Sequence, residues 1–152
     1  MKLSYQKWKG ICRYGLLPTY EQGDWLKEDS IVHAVVDYYG MTDFLNDPFY
    51  EDGREVPSWM LEDFLSKSYT KEEAREASVT SYIDKNTPPF LIFHGEHDGV
   101  VPIGQSKILY EKLKENNLKA DFYTIEKAGH GDSCFYGDEV KHIISKYLLD
   151  NI

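Results

Sequence analysis

The stretch FLIFHGEHDGVVP, residues 90–102, decides how the rest of the chain reads. It opens with bulky apolar residues and no polar alternation, the pattern of a short strand buried on both faces of a parallel sheet. Gly95 and the run Glu96–His97–Asp98–Gly99 then mark a polar turn at the carboxyl end of that strand. In open parallel sheets ligands bind just beyond the carboxyl ends of the strands. Asp98 therefore stands where chemistry is done, and the question becomes which residues reach it.

Downstream, residues 103–117 (IGQSKILYEKLKENN) read as a helix with Leu109 and Leu113 on one face and Lys and Glu on the other. LKADFYTIE, 118–126, reads as a strand, and KAGHGDSCFYG, 127–137, as a glycine-flanked loop. The closing segment DEVKHIISKYLLDNI places Val140, Ile143, Ile144, Tyr147 and Leu148 at i, i+3, i+4, i+7 and i+8, which predicts a helix with Asp138 as its cap. Upstream, IVHAVVDYYG, 31–40, is short and rich in β-branched residues, so we expect a strand buried on both faces. Residues 41–57 carry turn formers and aromatics without a period and read as a long loop. SWMLEDFLSK, 58–67, predicts a short helix capped by Ser58, and TKEEAREAS a second one, with Thr70 and Glu73 at capping-box spacing. Together 41–89 form an excursion between two strands of the kind that serves as a lid or substrate-binding cap.

The order strand, excursion, strand, helix, strand, helix implies an α/β fold with about three parallel strands. Three strands make a thin sheet, so the architecture reads as a partial one whose N-terminal strands are missing. Residues 1–22 show no clean period and are expected to be an irregular segment. Residues 23–152 are expected to carry the α/β part.

The bulk numbers agree with one globular domain. The chain has 152 residues, 41% hydrophobic and 28% charged, enough to form a core. A formal net charge of −9 argues against nucleic acid or an anionic membrane as partner. No apolar run reaches the ~18 residues of a membrane helix, and MKLSYQKWKG lacks the apolar run of a secretory signal. Two cysteines, Cys12 and Cys134, do not make a disulfide scaffold. A cytoplasmic location is the expectation.

Two loops leave carboxyl ends of strands, one offering Asp98 and the other His130. One helical crossover separates the two strands, so the loops are expected side by side. An aspartate accepting from one imidazole nitrogen leaves the other nitrogen to act as a general base. Each residue also has a plainer reading: Asp98–Gly99 is an ordinary turn pair, and a lone histidine in a loop is common. His97 reads as a solvated turn residue, His94 as packed or bonded to backbone, and His33 and His142 as structural. No His, Cys or carboxylate set shows metal-ligand spacing, and no cofactor is implied.

PPFLIFHGEHDGVVPIGQSKILYEKLK, followed by FYTIEKAGHG and a closing amphipathic helix, resembles the C-terminal half of an α/β-hydrolase. The nearest branch holds carboxylesterases and acetyl- and feruloyl-esterases, with prolyl-oligopeptidase catalytic domains as cousins. AVVDYYGMTDF is similar to the strand and turn that enter the cap region in that branch, and the resemblance runs from about Gly23 to the C-terminus. It implies that Asp98 is the acid and His130 the base of a catalytic triad. It also implies a small ester as substrate, and it places Asp43 and Phe44 near the substrate cleft.

The nucleophile of that fold comes earlier, on a G-x-S-x-G elbow between a strand and a helix. No G-x-S-x-G occurs in these residues. Ser4 and Ser30 lack that context, and Ser133 follows the base. Cys12, in KGICRYG, has a glycine two places before it and is sound as a nucleophile chemically, but Tyr14 stands where the elbow needs a small residue. Three readings follow. The first is the C-terminal portion of a serine esterase, inactive alone. The second is a non-catalytic binding module whose protein partner covers the open sheet edge, an edge that also suits self-association or, for an active heterodimer, a complementing chain. The third is a Cys12-dependent hydrolase.

Overall fold

A computed structural model describes residues 32–46, 61–62, 65 and 68–152. Cys12, the segment 1–22, the Ser58 cap and most of the loop 41–57 lie outside the described residues. Strand β1 (Val35–Tyr38), helix α1 (Lys71–Ala77), a 3-10 turn (Val79–Tyr82), β2 (Phe90–Gly95), helix α2 (Gly104–Glu115), β3 (Ala120–Ile125), a second 3-10 turn (Ser133–Tyr136) and helix α3 (Asp138–Leu149) follow in order. The strands form a parallel sheet in the order β1-β2-β3, with Val35 opposite Phe90 and Phe90 opposite Ala120. The expected α/β fold is thus present, as a partial one.

Strand alternation assigns a helix to each face of the sheet. Leu91 and Phe93 on β2, with Val36 and Tyr38 on β1, pack with Val140, Ile143, Ile144 and Tyr147 of α3. Phe90 and Ile92, with Val35, pack instead with Leu109 and Leu113 of α2. This two-sided cover is why β2 is apolar without alternation and buried at all six positions. β1 differs from its expectation. It begins at Val35 rather than near residue 31, and its four residues are half-buried rather than buried. Among the described residues it is paired on one edge alone, with β2, so less of it is enclosed.

The capping box at α1 forms as its spacing predicts: Thr70 Oγ1 accepts from the Glu73 amide, and the Glu73 carboxylate accepts from the Thr70 amide. The α3 cap is a correction. Gly137 is the N-cap, and Asp138 is the first helical residue. Asp138 and Glu139 still face the positive end of the helix dipole there.

β2 and β3 end together, and the loops that leave them are joined by backbone hydrogen bonds. The Glu96 amide donates to the Ile125 carbonyl at 3.1 Å and the His97 amide to the Ala128 carbonyl at 2.9 Å. The second loop lies directly over Gly95. A Cβ at that position would meet the Ala128 carbonyl group, with its carbon at 2.8 Å, and the Gly129 oxygen at 2.9 Å. These are backbone atoms that cannot step aside alone. Gly95→Ala is expected to destabilise the chain by about 1–3 kcal/mol, read as a lower urea midpoint. Gly99→Ala, where nothing lies within 4 Å of the added carbon, is expected to stay within about 0.5 kcal/mol of the parent.

Candidate active site

The joined loops bring Asp98 and His130 together. Asp98 Oδ2 lies 2.8 Å from His130 Nδ1. Oδ1 accepts from the amides of Val100 and Val101, each at 2.8 Å, in the turn that carries the carboxylate. Burial raises the Asp98 pKa, but hydrogen bonds from His94, His130 and those two amides outweigh it and hold the acid below the ordinary carboxylate value. An ionised Asp98 accepts and does not donate, so the proton of this bond sits on His130 Nδ1. That leaves the Nε2 lone pair of His130 to take a proton from another group. The Asp98 side chain is fully buried, whereas that of His130 is 32% exposed.

The His130 loop is shaped by two left-handed residues, Lys127 (φ 60°) and Gly131 (φ 74°). Gly131 adopts its left-handed conformation without the steric cost a side chain would add beside the histidine. The Asp132 side chain accepts from the Gly129 amide at 2.7 Å and closes the turn around His130.

Two neighbours of this pair were not legible as site residues. Tyr39, at the end of β1, adopts φ 42° and lays its ring 4.3 Å from the His130 ring, between centroids. Its hydroxyl lies 3.4 Å from that of Tyr136, which together with burial pushes its pKa up to about 12. No sequence signal announces a left-handed tyrosine. The second is His94. It bonds the Val101 backbone as expected, with Nε2 at 3.0 Å from the carbonyl oxygen, and the same nitrogen lies 3.4 Å from Asp98 Oδ2. Its place four residues before Asp98, across a tight turn, is the clue that was available.

Asp43 and Phe44 take up structural bonds. Asp43 accepts from the Leu45 and Asn46 amides, the Asn46 side chain and the Thr80 hydroxyl. Burial raises its pKa, and these bonds outweigh that and lower it. The Phe44 amide donates to Ser78 Oγ at 2.8 Å. Buried Gln105 binds the same turn, its Oε1 accepting from the Thr42 and Asp43 amides and its Nε2 donating to the Asp43 carbonyl. The knot meets the Asp98–His130 pair through the first turn of α2, where Ser106 follows Gln105 and bonds His94 Nδ1 at 2.7 Å. Among the described residues no group of three His, Cys, Asp or Glu side chains is placed to hold a metal ion.

A family model described as BD-FAE matches residues 19–113. Esterase LipC of Mycobacterium tuberculosis (strain ATCC 25618 / H37Rv) is 32% identical over 131 residues, covering 79% of this chain and 31% of that protein. Esterase LipQ of the same organism is 33% identical over 90 residues, covering 57% of this chain and 21% of that protein. Among solved structures, a truncated form of a carbohydrate esterase from gut microbiota superposes with a TM-score of 0.68 at 27% identity, covering 83% of this chain and 45% of that one. A thermophilic esterase from Thermogutta terrifontis, with propionate bound, shares the fold with a TM-score of 0.59 at 22% identity, over 93% of this chain and 50% of that one. The chain thus spans less than a third of these curated relatives and about half of these solved structures.

Burial pushes the Asp37 carboxyl up to about 6, against the Gly40 amide hydrogen bond, which lowers it. Its Oδ2 has no hydrogen-bond partner. Because the folded value lies above the unfolded one, the folded state takes up this proton first as pH falls. Asp37 therefore costs stability at neutral pH, and the cost is relieved through pH 6. Between pH 7 and 5 the parent should gain about 1 kcal/mol relative to Asp37→Asn, measured by urea unfolding at both pH values. A difference that does not move with pH removes this account of Asp37.

Proposed function

The chain belongs to the BD-FAE family of α/β-hydrolase-like proteins, and from that premise we propose that it carries the acid and base of a serine ester hydrolase. The nucleophile comes from residues outside these 152, since they hold no G-x-S-x-G. The observation that carries the reading is the bond from His130 Nδ1 to a buried, ionised Asp98. It fixes the tautomer a general base requires.

In the reaction, a serine hydroxyl attacks the acyl carbonyl of a small ester while His130 Nε2 takes its proton. Asp98 stabilises the resulting imidazolium. Collapse of the tetrahedral intermediate releases the alcohol, which receives that proton from His130 and leaves an acyl-serine. Water then attacks the acyl group with His130 again as base, and the carboxylic acid departs as serine recovers its proton. Without a nucleophile and an oxyanion hole, the acid and base alone forfeit most of this rate.

The test is p-nitrophenyl acetate hydrolysis, measured for the 152-residue chain alone and for the chain fused to the segment encoded upstream of it. The chain alone should show no turnover that His130→Ala removes. The fused protein should hydrolyse the ester, and His130→Ala there should lower kcat at least about a thousandfold. Turnover by the chain alone that both His130→Ala and Cys12→Ala abolish would establish a cysteine hydrolase instead. A fused protein that does not distinguish His130 from alanine would sink the esterase reading.

A further inference from the structure

His94 is fully buried on the penultimate residue of β2, and both of its ring nitrogens are bonded. The Val101 carbonyl can accept and cannot donate, so Nε2, 3.0 Å away, carries a proton. Nδ1 is then satisfied by accepting from the Ser106 hydroxyl at 2.7 Å. The neutral ring therefore fills every bond on offer, with its one N–H directed at the turn that holds Asp98. Nε2 lies 3.0 Å from the Val101 oxygen and 3.4 Å from Asp98 Oδ2, so the carbonyl is the nearer acceptor.

The same turn returns the contact, because the Val101 amide donates to Asp98 Oδ1 at 2.8 Å. Val101 thus binds His94 through its oxygen and Asp98 through its nitrogen. Asp98 Oδ2 meanwhile faces two imidazoles, the buried one of His94 and the exposed one of His130 at 2.8 Å. The Val101 amide and carbonyl belong to successive peptide units, so His94 fixes the unit that follows the one bonded to Asp98, and loss of His94 loosens the backbone beside the carboxylate's anchor. The groups that could substitute for His94 are few: Asp37 and Tyr39 lie close enough to feel this cluster, but neither bonds Asp98.

We propose that His94 is a positioning residue for the acid–base pair, holding the Val101 carbonyl and the Asp98 carboxylate so that His130 keeps its proton on Nδ1. Ser106 bonds the opposite ring nitrogen, Nδ1, at 2.7 Å, so the ring is held at both edges while the acceptor-only Val101 carbonyl keeps the proton on Nε2. The inference rests on the acid–base reading of Asp98 and His130, yet its test needs no turnover. A failed esterase assay and a failed tautomer assay are therefore separate results.

The experiment is long-range proton–nitrogen correlation NMR of the full chain labelled with 15N-histidine, with thermal melts of every variant alongside. In the parent, His94 should show the Nε2–H tautomer, and His130 the Nδ1–H tautomer with a downfield proton signal. His94→Gln sets an amide N–H at the reach of Nε2 and should preserve the His130 tautomer. His94→Asn ends short of Val101 and should convert His130 to a tautomer mixture and abolish the downfield signal. A His94→Asn chain that melts like the parent and keeps the His130 Nδ1–H form overturns the proposal. So does a His94→Gln chain that loses it as fully as His94→Asn. Should the asparagine variant not fold, the parent decides: His94 found as the Nδ1–H tautomer removes the donor on which the proposal depends.

Discussion

The second strand-end loop crosses Gly95 at a distance that leaves no room for a side chain, and the arrangement of the site descends from that crossing. The crossing lets the Ala128 carbonyl accept from His97 and the Ile125 carbonyl accept from Glu96, so the two loops exchange backbone bonds instead of spreading apart. Once they are joined, the direction of the 127–131 segment is set by two residues in the left-handed region, Lys127 and Gly131. His130 has little freedom left, and its Nδ1 falls within 2.8 Å of Asp98. A hydrogen bond between side chains 32 positions apart is thus the outcome of backbone geometry, with the side chains completing a contact the strand ends already impose.

The first turn of α2 performs a second joining task. Gln105 and Ser106 are polar and wholly buried, a combination that costs free energy unless each atom is bonded. Gln105 binds the turn that follows β1, and Ser106 binds His94 of β2. Through Asp43 and Thr80 the first of these bonds extends to the 3-10 turn behind α1, where Ser78 holds the Phe44 amide. The early part of the excursion and the acid of the pair are therefore anchored to one helix end. The resemblance sets Asp43 and Phe44 near a substrate cleft. Their described bonds are those of a strut.

What the sequence made legible is what periodicity and turn chemistry encode. The apolar strand β2 was legible because a continuous apolar run between a proline pair and a polar turn has one ready explanation in a parallel sheet. The α1 capping box was legible because its two bonds depend on spacing alone. The Asp98–His130 juxtaposition followed from topology, since neighbouring parallel strands end at the same edge. The failures have a shared cause. Whether Val35–Tyr38 is buried on both faces depends on what covers it, Asp138 gave up the cap to Gly137 by a one-residue shift in helix start, and Tyr39 reached His130 through a backbone conformation its side chain disfavours. None of these is local information.

The burial asymmetry of the pair has a chemical reason. Under the proposed reading Asp98 stays charged and immobile, which calls for several donors in an enclosed place, and its two amides and flanking imidazoles supply them. Under the proposed acid–base reading, His130 presents one nitrogen outward while the other stays bound, which calls for partial exposure and a fixed ring plane. Asp98 holds the Nδ1 edge, and the Tyr39 ring limits motion of the face. A tyrosine held at φ 42° is a strained choice for packing alone, since the left-handed region costs a non-glycine residue about 1 kcal/mol or more. That the strain persists beside the exposed imidazole agrees with the general rule that backbone strain collects where a side chain must be aimed.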